Sequence, residues 1–367
     1  MTILWTILLA TLGLGIAATL MLISAKGHLR ILDHPNERSL HSQPIPRTGG
    51  LSICIGIIGG VIAIVVSFGL RTEVTWIMCA MLIVAAISFI DDRVNVPVRI
   101  RLFVHLLAGS LLLASGISNP SLWPGAEITL SVGLIWLFGL SYMVWMTNLY
   151  NFMDGMDGFA GGMAVFGFGT LGLLGHLAGD DYYAAVCWVI ASASAGFLVW
   201  NFPPARIFMG DTGSSALGLL AAALSLWADR DGLFPLWLAL LVFAPFVVDA
   251  TLTLARRTLK GERIWEAHRS HYYQRLVQAG WSHRRTVLWE YGLMLLCSLG
   301  ALLAFNSSTG RQWFIVSGVL GVCLVAIVGV RWVEQRMALS QASEASILDT
   351  SPHPDRNPHQ SIQRVKH

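Results

Sequence analysis

Apolar stretches long enough to cross a lipid bilayer recur from one end of this 367-residue chain to the other. In hydrocarbon every backbone N–H and C=O must find its partner inside the protein, so only helices and closed β-barrels can span. Barrel strands alternate polar and apolar residues with period two, and these runs do not. The chain therefore reads as an all-α polytopic membrane protein. About eleven transmembrane helices are expected, near 3–24, 49–70, 74–90, 102–118, 131–149, 160–178, 182–200, 213–228, 233–255, 286–305 and 312–332. The first run has no basic segment before it and is long enough to span, so it reads as a retained helix and not a cleaved signal.

The positions of the charges set the orientation. The loops on one side, up to Arg336, hold eighteen Lys and Arg, whereas the other side holds only Arg71, Arg230 and Arg311. Cytoplasmic loops carry the excess of positive charge. The N-terminus is then expected in the periplasm and the C-terminus in the cytoplasm. Residues 1–335 form one membrane domain; residues 336–367, rich in Ser, Pro, His and Gln toward the end, read as a disordered cytoplasmic tail. The five cysteines lie in apolar runs without metal-ligand spacing, so neither a disulfide framework nor a zinc site is expected. No basic stripe with interleaved aromatics marks a nucleic-acid partner.

Between the expected fifth and sixth spans lies N-L-Y-N-F-M-D-G-M-D-G-F-A, Asn148 to Ala160. No lipid-facing helix would carry that set, because a charge at membrane depth costs several kcal/mol. Asn151, Asp154 and Asp157 recur every third residue and would project from roughly one side of a helical turn, while Gly155 and Gly158 would let a ligand approach the backbone. Oxygen-rich clusters of this kind suit hard cations such as magnesium; the plain alternative is a polar hairpin between helices.

Four more polar clusters fall on the same expected side. The loop from Asp33 to Gly50 carries Arg38 and Arg47, which suit phosphate but serve equally as topology-setting charge. Asp91 and Asp92 end the third span, either as plain solvated acids at a helix end or as a pair suited to a base beside a phosphate site, with Arg99 and Arg101 following. In N-F-P-P-A-R-I-F-M-G-D-T-G-S-S, Asp211 opens a span, either as a helix cap or as a cation ligand, and Phe208 could stack on a base. The segment from Ala255 to Gly280 gathers Arg with His268 and His271, either an interfacial helix on anionic lipid or a phosphate clamp. Asp249 lies inside the ninth span, either functional or a partner for Arg256 or Arg257. Carboxylates for a divalent cation, Arg and His for phosphate, and an embedding membrane together suit phosphoryl transfer between a soluble nucleotide and a lipid phosphate.

Over about residues 1–335 the chain resembles the polyprenyl-phosphate N-acetylhexosamine-1-phosphate transferases, the superfamily of the peptidoglycan MraY and WecA-type enzymes. The motifs P-I-P-R-T-G-G, D-D-R, N-L-Y-N-F-M-D-G-M-D-G, F-M-G-D-T-G-S and H-R-S-H-Y-Y-Q occur in family order. The resemblance is nearest to the WbpL-like enzymes that initiate O-antigen. The run of several His in the last loop of the peptidoglycan enzymes is here only His268 and His271, which argues against a muramoyl-pentapeptide substrate.

What the resemblance implies is transfer of N-acetylhexosamine-1-phosphate from a UDP-sugar to undecaprenyl phosphate with release of UMP, at the cytoplasmic face of a bacterial inner membrane. It implies dependence on Mg2+, with Mn2+ able to substitute. Asn151 and Asp211 become magnesium ligands. Asp91, Asp92 and, more loosely, Asp154 become catalytic. Phe208, Asp157 and Gly155 line the nucleotide. His268, Arg269, His271 and Arg47 bind phosphate and sugar, and Arg101 holds the lipid phosphate. The sugar, the glycan pathway and the assembly state, a homodimer included, stay open. A different class, a transporter of an anionic solute, would place its charges near the midplane and usually show repeated halves, which the sequence lacks.

Overall fold

A computed structural model describes residues 2–25, 31–33, 44–117, 131–263 and 268–350, with 340–350 as backbone only. Arg38 and residues 264–267 of the last basic loop lie outside the described residues. The elements run α1 (Thr2–Ile23), β1 (Leu32–Asp33), β2 (Ile45–Pro46), α2 (Gly49–Phe68), α3 (Thr72–Val94), α4 (Val98–Ala114), α5 (Val132–Phe152), α6 (Phe159–Leu177), α7 (Asp181–Asn201), α8 (Gly210–Arg230), α9 (Leu236–Val242), α10 (Ala244–Leu259), α11 (Tyr272–Gln278), α12 (His283–Ala304) and α13 (Thr309–Thr350).

Among the described residues the fold is helical, as expected, save for one antiparallel pairing of Leu32 with Pro46 and Asp33 with Ile45. Eight helices among the described residues are long and apolar enough to cross a membrane, and nine spans result if α9 and α10, which meet at 82°, are taken as one broken helix. Helices also stand at the two remaining expected spans. However, α4 has only 17 residues and carries Arg99, Arg101 and His105, and α8 opens with a turn of Gly, Asp, Thr and Ser. The expected eleven is thus not reached by length and composition among the described residues. The last helix, α13, continues to Thr350, across the expected domain boundary after residue 335.

Helix α8 is the centre of the bundle. Every residue from Thr212 to Asp229 is buried. Helices α2, α3, α5, α6 and α9 all pack on it. Small residues at four-residue spacing, Gly210, Ser214, Gly218 and Ala222, let neighbouring backbones come close, which is how helices associate where lipid gives no hydrophobic drive. A Cβ on Gly218 would lie 2.5 Å from the Met146 carbonyl of α5. At the C-terminal end of α8 the loops are tied by Arg230–Glu73 at 2.9 Å and by Arg71–Asp180 at 2.6 Å. At its N-terminal end the motif-bearing loops converge.

Candidate active site

The P-I-P-R-T-G-G and F-M-G-D-T-G-S segments form one unit. Phe208 N–H donates to the Pro46 carbonyl at 2.7 Å, Gly49 N–H to the Phe208 carbonyl at 2.9 Å, and Gly50 N–H to the Met209 carbonyl at 2.7 Å. This seating needs glycine: a Cβ at Gly50 would overlap the Gly213 backbone, and Gly210 has φ +69°, a left-handed conformation that glycine adopts at no steric cost. The result places Asp211 at the first turn of the central helix, where aligned peptide dipoles favour anions. Phe208 lies beside it, half-buried.

The two carboxylates of Asp91 and Asp92 separate in role. Asp92, 3% exposed, turns to the start of α8. Its Oδ1 accepts from Asp211 N–H at 3.1 Å, and its Oδ2 accepts from Thr212 N–H at 3.1 Å and from Thr212 Oγ1 at 2.7 Å. It caps a helix distant in sequence. The Arg47 guanidinium packs against it, with Nε 3.7 Å from Oδ1 and Nη2 donating to the Asp92 carbonyl. Asp91 accepts from Val96 N–H at 2.6 Å and is ion-paired with Arg101. Arg101 Nη1 also reaches the Asp211 carboxylate at 3.2 Å. One guanidinium from α4 thus bridges α3 and α8. Arg47, a phosphate candidate, and Arg101, a lipid-phosphate candidate, both face carboxylates in this structure.

Asn151, at the end of α5, donates to Ser214 Oγ at 3.0 Å, which brings it to the first turns of α8. Asp154 lies in the loop that follows, half-buried, and no group among the described residues hydrogen-bonds to its carboxylate. Burial first, then the charges of Asp211 and Asp92, pushes that carboxyl well above the ordinary carboxylate range. Asp157 is engaged within the protein: Oδ2 accepts from Ala205 N–H at 3.0 Å and Oδ1 lies 3.3 Å from His283 Nδ1. It ties the loop that carries Phe208 to the start of α12. His283 is a residue that sequence reasoning passes over, because a lone His after a Ser cap carries no local signal. The glycines of this loop accommodate protein groups. The place of a Cβ on Gly155 is taken by the Tyr273 hydroxyl, and Gly158, buried at φ +74°, donates to Asn201 Oδ1 at 2.9 Å and accepts from the Tyr291 hydroxyl at 2.7 Å.

The last loop docks beside this one through Tyr273, whose ring lies 4.6 Å from that of Phe159. His271, 2% exposed, precedes α11, and its ring lies 4.9 Å from that of His268. The Ser270 hydroxyl lies 2.9 Å from His268 Nδ1. Burial, then His271 and Arg257, lowers the pKa of His268 to about 4, so this imidazole is neutral at pH 7. Arg269 is exposed. Asp249 does not pair with Arg256 or Arg257, one of the two possibilities its sequence position left open. Its partners are His271, Tyr272, Tyr273 and Thr253, whereas Arg256 donates to the Ser270 carbonyl at 2.8 Å and Arg257 pairs with Glu262 at 2.8 Å.

Among the described residues no group of three or more His, Cys, Asp or Glu is arranged to hold a metal by itself. Magnesium does not require one: it is usually bound through one or two carboxylates with substrate phosphates and water completing its shell. Asp211, Asp154 and the Asn151 amide supply hard oxygen donors at one place. The Asp154 carboxylate has no hydrogen-bond donor among the described residues and sits among like charges, so a cation there relieves repulsion. The donor set fits.

Residues 74–229 match the sequence model for glycosyl transferase family 4. The chain is 30% identical over 297 residues to a probable undecaprenyl-phosphate N-acetylglucosaminyl 1-phosphate transferase of Bacillus subtilis, covering 78% of this chain and 80% of that protein. It is 32% identical over 326 residues to the decaprenyl-phosphate N-acetylglucosaminephosphotransferase of Mycobacterium tuberculosis, with coverage of 78% and 80%. To a phospho-N-acetylmuramoyl-pentapeptide-transferase of Geobacillus thermodenitrificans it is 31% identical over 271 residues, 68% of this chain and 81% of the other.

Proposed function

The chain belongs to glycosyl transferase family 4, the superfamily of polyprenyl-phosphate phosphosugar transferases, and from that premise we propose that it moves N-acetylhexosamine-1-phosphate from a UDP-sugar to undecaprenyl phosphate. An oxygen of the lipid phosphate attacks the β-phosphorus of the UDP-sugar. The bond from that phosphorus to the bridging oxygen breaks, and UMP leaves with the bridging oxygen. The products are undecaprenyl-diphosphate-N-acetylhexosamine and UMP. The observation that carries this reading is the meeting of Asp91, Arg101, Asp211 and Asp154 at the N-terminus of a buried central helix.

Transfer of a phosphoryl group asks for positioning and charge neutralisation more than covalent help. Magnesium, held by Asp211 and Asn151 with Asp154 adjacent, would offset charge on the diphosphate. Arg101, exchanging the Asp211 carboxylate for the incoming lipid phosphate, orients the nucleophile, and Asp91, still paired with it, fixes where Arg101 points and can take the phosphate proton. Asp92 holds the start of α8, so Asp211 keeps its place. Phe208 stacks on uracil, on a loop that Asp157 anchors and beside the Gly155 turn. Arg269, His268, His271 and Arg47 bind the diphosphate and sugar.

The site opens to the cytoplasm of a bacterial inner membrane, on the side of the basic loops, and the product begins O-antigen or a related surface glycan. The intact bridging of the central helix by α3 and α4 favours this over transport of an anionic solute, for which the two halves would have to part around the same residues. The test is purified protein with undecaprenyl phosphate and, in turn, the UDP-linked N-acetylhexosamines differing at C4 or C6. One of them should yield an organic-soluble lipid product in the presence of magnesium and none with EDTA. Absence of a lipid product from the whole panel would refute the reading.

A further inference from the structure

Asp249 is a carboxylate within a helix of the membrane bundle, where ionisable groups are costly and are held for a reason. It is 8% exposed, and four groups converge on it. Oδ1 faces His271 Nδ1 at 3.1 Å and accepts from Tyr272 N–H at 3.0 Å and Thr253 Oγ1 at 3.0 Å. Oδ2 accepts from Tyr273 N–H at 3.2 Å. An ionised carboxylate only accepts, so the hydrogen between it and the imidazole belongs to Nδ1. In the tautomer that places its hydrogen on Nδ1, Nε2 of the imidazole carries the lone pair. The ring is further confined by His268 at 4.9 Å and by the Tyr273 ring at 5.9 Å.

We propose that Asp249 is a positioning residue for the transfer reaction: it fixes the ring direction and the tautomer of His271, so that Nε2 is the nitrogen that engages substrate. The inference rests on the transferase reading above. It also explains why the loop is seated by a carboxylate and not by an amide. An Asn at this position has one oxygen and one NH2 group for four donors. If the NH2 is aimed at His271, it donates to Nδ1 and drives the proton to Nε2, the tautomer that cannot accept. If it is aimed at Tyr273 N–H, two donors oppose each other. In other enzymes where a carboxylate sets a histidine tautomer, such a change costs far more in turnover than in folding.

The experiment compares wild type, Asp249→Asn, His271→Gln and the double variant, with magnesium and a productive UDP-sugar. Asp249→Asn should lower kcat by about 10–100-fold, as loss of a group that orients a histidine commonly does. The double variant should be no slower than the slower single, because the two residues act as one unit. Multiplying losses would overturn the proposal. Nitrogen-15 spectra of histidine-labelled protein give a readout independent of activity. The wild-type signals that vanish in His271→Gln should show a protonated Nδ1 and an unprotonated Nε2 at neutral pH, and the reverse pattern would overturn the proposal even if Asp249→Asn fails to fold. A wild type that releases no UMP from any UDP-sugar would instead count against the transferase reading and leave the tautomer measurement standing.

Discussion

Arg101 Nη1 and the Asp211 carboxylate, 110 residues apart in the chain, lie 3.2 Å apart at the first turn of the central helix. The same Nη1 is ion-paired with Asp91. Two of the motifs scattered along the sequence thus meet at one guanidinium, and Asp91 and Asp92, adjacent in sequence, do different work around it.

That difference is measurable. Asp92→Asn must present an NH2 to at least one of the donors at the start of α8, leaving a buried polar group unpaired at a cost of about 1–3 kcal/mol. Asp91→Asn keeps the acceptor for Val96 N–H and loses a partly exposed ion pair, worth at most about 1 kcal/mol. Thermal melts in detergent should therefore show a clear drop for Asp92→Asn and little change for Asp91→Asn. The kcat of Asp91→Asn should nevertheless fall by about 10²–10⁴-fold if the residue handles the phosphate proton. Equal melting temperatures for the two variants would remove the capping role of Asp92.

Gly50→Ala tests the seating of α2 on α8. A single methyl group there overlaps the Gly213 backbone, which cannot swing aside as a side chain can. Overpacking of this kind costs about 1–3 kcal/mol, and here it also shifts Asp211. Reduced thermal stability and reduced turnover are expected together. Gly133→Ala, where no described residue lies within 4 Å, should lower neither stability nor turnover.

Asp154 gives the pH-dependent prediction. Its carboxyl titrates above the ordinary range in the folded protein, because burial and the charges of Asp211 and Asp92 disfavour the anion. The folded state therefore binds this proton more tightly than the unfolded chain does. The stabilisation is present below the unfolded carboxylate pKa, near 4, and is lost as pH rises toward the raised folded value. Without metal, Asp154→Asn should raise the melting temperature at pH 7, flatten its decline between about pH 4 and neutrality, and abolish turnover. If the folded protein holds magnesium at Asp154, the cation should raise the wild-type melting temperature and raise that of Asp154→Asn less. An unchanged response to magnesium in the variant would place the cation elsewhere.

Orientation is tested with single cysteines in a chain lacking its five native ones. Lys260→Cys, at the exposed end of α10, should be shielded from a membrane-impermeant thiol reagent in intact cells. Ser308→Cys, exposed between α12 and α13, should be labelled. The opposite pattern would put the candidate site on the face that UDP-sugars do not reach.

Much of this was legible in the sequence because membrane burial makes polar residues conspicuous. Asn151, Asp154, Asp211 and the Asp91–Asp92 pair stand out against apolar runs, and hydropathy places a helix at each expected span. What could not be read was which partner each polar group takes. Asp92 caps a helix 120 residues further on, Asp157 anchors Ala205 and His283, and Asp249 turns to His271 and not to the nearer arginines. Such pairings depend on how helices cross in space, which local pattern does not encode. The continuation of α13 was hidden for another reason. From residue 336 on its composition resembles a tail, and the helix runs on to Thr350; just before that point Glu334 pairs with Arg275 of α11, with Nε 2.6 Å from the carboxylate, and so holds the helix that follows His271.

The proposed reaction breaks the bond between the two phosphates of the nucleotide sugar. It is tested most directly with a UDP-N-acetylhexosamine labelled at the β-phosphorus, incubated with purified protein, undecaprenyl phosphate and magnesium. The label should move quantitatively into the organic-soluble lipid while unlabelled UMP accumulates in equal amount. Label retained in the aqueous phase as UDP, with the sugar alone on the lipid, would mean that the bond to the sugar is cut, and would contradict the proposed reaction.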